Sequence, residues 1–360
     1  MGISDLLGKK QPTHDAAPVI SGILPPAALP GGEVRVVGKQ LRNAASSSGM
    51  GAVTFAGAPA RVVISAEDQS VVRVPDEAES GPVLLSVDGR LSNAFDFKVA
   101  VQIADGVQPV ANPAVDGEGN IYTTLSGSRG EMSPVSVFKI DTDFKMRGYA
   151  TDIMNATGVA IGPDGQLYVS SRHEGTIYRI AANGAMTTYA QGMGVATGIA
   201  FDREGNLYAG DRSGTIFKIS AGSRPDAREI YVFATIEPSV AAYHLAFDYA
   251  DNLYVSAPTT SSNEAIYMID PDGQISEFYR GLGRPQGLAF DSVGNLYVAA
   301  SLAGRRGIVR ITPQREANLV VAGNSIVGLA FTPTKTCIIA TSSALYQLSW
   351  GVQGKPLVGF

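Results

Sequence analysis

An all-β chain of two parts, an N-terminal Ig-like β-sandwich and a C-terminal six-bladed β-propeller, is what this 360-residue sequence predicts. Three observations carry the prediction. A pattern of short β-segments recurs six times between about residue 110 and residue 350. Each copy holds three or four strand-like runs separated by turn residues, which is the content of a propeller blade. Residues 17–99 lack the repeat and instead show short strands at about ten-residue spacing, the pattern of a small sandwich.

The copies align on one alanine. Ala114, Ala160, Ala200, Ala246, Ala289 and Ala330 are separated by 46, 40, 46, 43 and 41 residues. Eight residues after each comes Tyr122, Tyr168, Tyr208, Tyr254, Tyr297 and finally Ile338. A fixed spacing means a first hairpin of fixed length, with insertions confined to later loops, where they are tolerated. Small residues suit innermost strands that converge on an axis, and the aromatic one strand out fills the widening gap between neighbouring sheets. A third run follows in every copy, as in Ile177-Tyr178-Arg179-Ile180, and a weaker fourth closes most, as in Met186-Thr187-Thr188-Tyr189. The last copy is degenerate, with Thr332-Pro333-Thr334-Lys335-Thr336 where an Asp-x-x-Gly-Asn turn is usual.

In chain order, residues 1–16 are polar and read as a flexible tail. Residues 17–99 form the sandwich, and 100–360 the propeller. Either 99–103 or 355–360 can supply the outer strand that closes the ring. The net charge of −5 gives no global attraction to nucleic acid or an anionic membrane. The single cysteine, Cys337, excludes an internal disulfide and reads as a small buried hydrophobe. No apolar run approaches the roughly 20 residues of a membrane span. With no signal-like N-terminus, a cytoplasmic location is expected, export remaining open.

Two resemblances follow from these residues. Pro18-x-Ile20-x-x-Ile23-x-Pro25, Gly31-Gly32 before an alternating strand, and Val74-Pro75 followed by Gly81-Pro82-Val83 resemble an IPT/TIG domain, an Ig-like appendage that binds, spaces or dimerises. The units over about 105–355 resemble NHL repeats and the senescence marker protein/gluconolactonase propellers. Such propellers host lactonases, lyases and binding modules alike, so the resemblance speaks to fold more than to activity.

Within that resemblance the ligand face is formed by residues just before each inner strand and by the loops after each second strand. The pre-strand positions read as Asn112, Thr157, Thr197, Tyr243, Gln286 and Val327, with His244 in place of the usual glycine. Lactonase-type relatives place carboxylates and asparagines there around a divalent cation such as calcium. Only Asn112 is of a matching type here, so no metal or other cofactor is expected outside that reading. The second-strand loops carry Arg129, Arg172-His173-Glu174, Asp211-Arg212 and Arg305-Arg306, and Arg284 precedes Gln286 on the same face. Guanidinium groups gathered at one end of an acidic protein suit a carboxylate, a phosphate or an acidic peptide. His173 is the best candidate for acid–base chemistry. The turn aspartates Asp116, Asp202, Asp248 and Asp291 recur too regularly for a catalytic site and read as folding devices.

The expectation is therefore a propeller that binds a small anionic ligand or an acidic protein segment at its arginine-bearing face. The alternative is a metal-dependent hydrolase of a sugar lactone or related ester. Single-stranded RNA binding is a third reading, opposed by the acidic balance. Whether the chain is an enzyme, and its oligomeric state, are left open at this stage.

Overall fold

The computed structural model describes residues 17–42, 53–127, 130–222 and 228–359. The expected tail, 1–16, and Arg129 lie outside these residues. The chain divides into two compact units, Met1–Val99 and Ala100–Phe360. Both are built of strands, with no helix among the described residues.

In the first unit Val19–Leu24, Glu33–Lys39, Gln69–Arg73 and Ala58–Ser65 pair antiparallel in that order. Val53–Phe55 pairs with Ala58–Ser65 and with Gly81–Val87, which pairs in turn with Phe95–Val99. Alternation along Glu33–Lys39 buries Val34 and Val36 and leaves Glu33 in water, as a period of two requires. Phe55 and Phe97 meet edge to face at 5.4 Å inside this unit. The Asn93 side chain acts as a strand partner for Ile20, accepting its N–H at 2.8 Å and donating to its carbonyl at 3.1 Å.

The second unit is a β-propeller whose strands pair antiparallel in runs of four. Ala156–Ile161, Leu167–Ser171, Thr176–Ile180 and Met186–Ala190 form one such run, inner strand to outer. The same order recurs over 114–150, 196–235, 244–283 and 288–322. Leu282 and Gly283 also pair with Leu302 and Ser301, so two adjacent ladders run together. The last run, Ile326–Phe331, Cys337–Thr341 and Ala344–Leu348, takes its outer strand from Val101–Asp105. Of the two candidate closing segments, the one preceding the repeats does the closing. Each inner strand packs on the next, and Ile326–Phe331 packs on Ala114–Val115.

The eight-residue spacing has a direct structural meaning. Each alanine faces its tyrosine across the first hairpin: Ala160 opposite Tyr168, Ala200 opposite Tyr208, Ala289 opposite Tyr297. Four of the tyrosine rings, those of Tyr168, Tyr208, Tyr254 and Tyr297, then meet the phenylalanine of the next inner strand edge to face. Tyr168 reaches Phe201 at 4.8 Å, Tyr208 reaches Phe247 at 4.9 Å and Tyr254 reaches Phe290 at 4.8 Å. These contacts hold neighbouring sheets together, each contributing roughly 0.5–1.5 kcal/mol beyond area burial.

One end of the propeller is made of the aspartate turns. Asp291 accepts the N–H groups of Val293 and Asn295, the Asn295 carboxamide at 2.7 Å and the Tyr297 hydroxyl at 3.2 Å. Asp116, Asp202 and Asp248 make the same bonds to Asn120, Asn206 and Asn252. The degenerate turn keeps the design with hydroxyls: Thr332 Oγ1 and Thr336 Oγ1 lie 2.6 Å apart, and the Thr336 N–H donates to Thr332. The C-terminal segment crosses this end. Lys355 N–H donates to Phe290 O at 3.0 Å, Leu357 joins the core around Val159, and Val358 joins that around Ile199.

Candidate functional site

The opposite end opens into a mouth of about 840 Å³. Thr157, Thr197, Gln286 and Val327, each three residues before the alanine of its repeat, line it. So do Ser126, Arg172, Arg212, Ser301 and Ser342, each four residues after the aromatic position of its repeat. Gln108, Arg284, Arg306, Ser261, Ser262 and Ser325 complete the polar lining.

Below the mouth the inner strands converge on a neck. Gly158, Gly198, Gly287 and Gly328 occupy equivalent ring positions. A Cβ on Gly198 would collide with the Tyr243 carbonyl, and one on Gly158 with that of Thr197. Only glycine permits strands this close. Two ring positions differ, Asn112 and His244. Asn112 donates to Leu288 O at 2.8 Å and accepts the Leu329 N–H at 3.1 Å, tying the first inner strand to the fifth and sixth. Its carboxamide oxygen fills the space a Gly287 side chain would need. Under the neck lies a separate, mostly apolar cavity of about 230 Å³, with Asn112, His244 and Lys355 among its lining. Burial lowers the His244 pKa to about 3, so its imidazole is neutral at pH 7.

Four arginines converge in the mouth, and no carboxylate lines it among the described residues. Arg172 Nη2 donates to Gly127 O at 3.2 Å. Arg212 is held by two carbonyls, Val240 O at 2.7 Å and Ser239 O at 3.4 Å. Arg284 and Arg306 are exposed and make no side-chain hydrogen bond or ion pair with a described residue. Glu174, the acid nearest in sequence to Arg172, instead accepts the Tyr178 hydroxyl at 2.6 Å; burial first, and then this bond, push that phenol up to about 12. A concave, low-dielectric wall bearing one sign of charge focuses its field on an anion.

The structure sorts the residues expected from sequence. Thr157, Arg172, Thr197, Arg212, Arg284 and Gln286 share the mouth. Asn112 and His244 do not line it; they lie at the neck and line the lower cavity. Asn112 was expected ahead of the first inner strand, but that place belongs to Ala111, one residue earlier. Tyr243 is fully buried, packs in the core around Tyr208, and donates its hydroxyl to Glu237 O, so its ring serves packing. Asp211 accepts the Val195 N–H at 2.8 Å and the Ser213 hydroxyl, which makes it a loop brace. His173 and Arg305 line neither cavity. Arg306 does, because adjacent residues of a strand point to opposite sides. The ring of serines went unnoticed in the sequence, although the fixed offset from each aromatic would have located Ser126, Ser301 and Ser342.

A hard cation needs several oxygen ligands, usually with carboxylates among them. The mouth presents guanidiniums, hydroxyls and amides, and the Asn112 carboxamide is committed to backbone groups. Among the described residues no three or more His, Cys, Asp or Glu side chains could share an ion. The residues present do not fit a divalent-cation centre.

Known proteins agree with this architecture. The strictosidine synthase-like, N-terminal family matches residues 198–219, the inner three strands of one run. A solved protein provisionally assigned as a gluconolactonase superposes with a TM-score of 0.58 at 18% identity, over 72% of this chain and 94% of that one. The fold is that of the strictosidine synthase-like and gluconolactonase β-propellers. A gluconolactonase from Xanthomonas campestris matches at 14% identity and TM-score 0.52, covering 69% of this chain and 88% of its own. An auxiliary nutrient binding protein from Bacteroides ovatus matches at 13% identity and TM-score 0.53, covering 93% of this chain and 98% of its own. No curated protein matches the chain. At these identities the likeness of this propeller to its neighbours is one of fold. Among the described residues no helix is long and apolar enough to cross a membrane.

Proposed function

We propose that this chain is a binding protein that holds a small anionic ligand in the mouth of a six-bladed propeller, with an Ig-like IPT/TIG domain as an accessory interaction unit. The observation that carries the reading is the convergence of Arg172, Arg212, Arg284 and Arg306 on one concavity without a lining carboxylate. Charge-assisted hydrogen bonds from a guanidinium fork are the strong, directional kind, and carboxylate and phosphate are the groups they fit. Cyclic packing of the inner strands supports six blades. The strand pairing of the first unit supports the Ig-like reading. A concave mouth with a narrow floor favours a small ligand over an acidic protein segment.

Calorimetric titration with inorganic phosphate and with citrate tests the reading. Saturable binding at low salt is expected, weakening as ionic strength rises. The pair Arg172→Gln and Arg212→Gln should weaken it at least tenfold. Absence of binding, or equal affinity in the paired variant, would refute the proposal.

A further inference from the structure

The four arginines form two pairs. In the cyclic order of inner strands the run 156–190 stands opposite the run 288–322. Arg172 follows the second strand of the first of these, and Arg212 the second strand of its neighbour, 196–235. Arg306 lies at the start of Arg305–Ile311 in the opposite run, and Arg284 sits in the loop that enters that run. One pair therefore faces the other across the mouth.

The pairs also differ in state. Arg172 and Arg212 are half-buried and bonded to the carbonyls of Gly127, Ser239 and Val240, which fixes their planes in advance. Arg284 and Arg306 are exposed and carry no such restraint. The lining is otherwise rich in hydroxyl and amide groups. Buried Ser126 Oγ has no hydrogen-bond partner among the described residues, an unusual condition for a group of that kind.

We infer that the mouth takes a small molecule with an anionic group at each end of a hydroxylated spacer, a polyhydroxy dicarboxylate or its phosphorylated equivalent. This rests on the anion-binding reading above. A ligand with one anionic group neutralises one pair and leaves the other as two uncompensated like charges. A second anionic group at the far end removes that repulsion and orders the exposed pair. A hydroxyl between the two ends meets Ser126 and restores a bond that an aliphatic spacer would leave unmade. The volume of about 840 Å³ is within the range of pockets that enclose small ligands.

Three six-carbon probes that differ chiefly in carboxylate count separate the possibilities: galactarate with two, galactonate with one and galactitol with none. Titration calorimetry on the full chain, with ionic strength matched, should give galactarate at least tenfold tighter than galactonate and no binding of galactitol. Arg284→Gln with Arg306→Gln should abolish the tenfold preference for galactarate over galactonate. Both positions are exposed, so an unaltered melting temperature is expected and confirms folding. Equal affinities for galactarate and galactonate, with phosphate still bound, would overturn the two-anion inference alone. Binding of phosphate without either sugar acid would overturn it through the spacer. Failure of every anion, phosphate included, would overturn both this inference and the anion-binding reading.

Discussion

The two ends of the propeller use polar side chains in opposite ways. At the turn end the leading aspartate of each such turn is answered within its own repeat, by asparagine and backbone N–H, as Asp116 is by Asn120 and Tyr122. The arrangement returns with little change, and even the threonine version closes on itself. At the mouth the corresponding positions differ from repeat to repeat, and arginines stand beside serines and threonines. Arg284 and Arg306 have no partner among the described residues. Repetition with satisfied bonds is a folding device. Variation with unanswered donors leaves binding capacity to be used by something outside the chain.

Substitutions can break that contrast. The largest effect should come from the neck between the ends, which serves neither ligand nor turn. Gly198→Ala would drive a methyl group into the Tyr243 carbonyl. Overpacking of this kind costs about 3 kcal/mol or more when backbone must move. A fall in melting temperature, or loss of soluble protein, is expected; a wild-type melting curve would contradict the tight neck.

Next is acid sensitivity at His244. Its folded pKa of about 3 lies below the ordinary 6.5, so the unfolded chain binds this proton first as pH falls. Stability from this group is unchanged above about pH 7 and declines between roughly pH 6.5 and 3, by up to ~1.4 kcal/mol per pH unit. Urea unfolding at pH 7 and pH 5 should show a smaller pH-dependent loss for His244→Gln than for the native chain. Parallel losses would remove His244 from the account.

At the turn end, Asp291→Ala deletes bonds to Val293, Asn295 and Tyr297. A loss of about 1–3 kcal/mol is expected, measured by urea unfolding, with phosphate affinity unchanged. A change in affinity there would blur the distinction between the ends. The smallest effect sharpens it: Lys335 holds a φ of 61° where four of the other turns carry glycine and one carries Asp251. Lys335→Gly should stabilise by up to about 1 kcal/mol, visible as a slightly higher melting temperature.

How far these features could be read from sequence depends on whether they repeat. The Ala–Tyr spacing was legible because a hairpin of constant length forces the two residues opposite each other. The aspartate turns were legible for the same reason. Asn112 was misplaced by one residue because Pro113 and Ala114 follow it directly and no glycine marks the neck there. Tyr243 and Asp211 occupy the right loops, but chain position does not say whether a side chain turns toward the axis or into the core. Arg305 and Arg306 show the limit: one residue of strand alternation decides which faces the mouth. Convergence of arginines from loops more than a hundred residues apart is a property of the closed ring, and no local pattern records it.

The central claim is that the mouth, and not the turn end, binds anions. Crystals grown with selenate, examined by anomalous scattering at the selenium edge, test it directly. The account predicts a selenate peak in the mouth within hydrogen-bonding distance of Arg172 and Arg212. Peaks confined to the turn end or the outer rim, with the mouth holding only water, would contradict it.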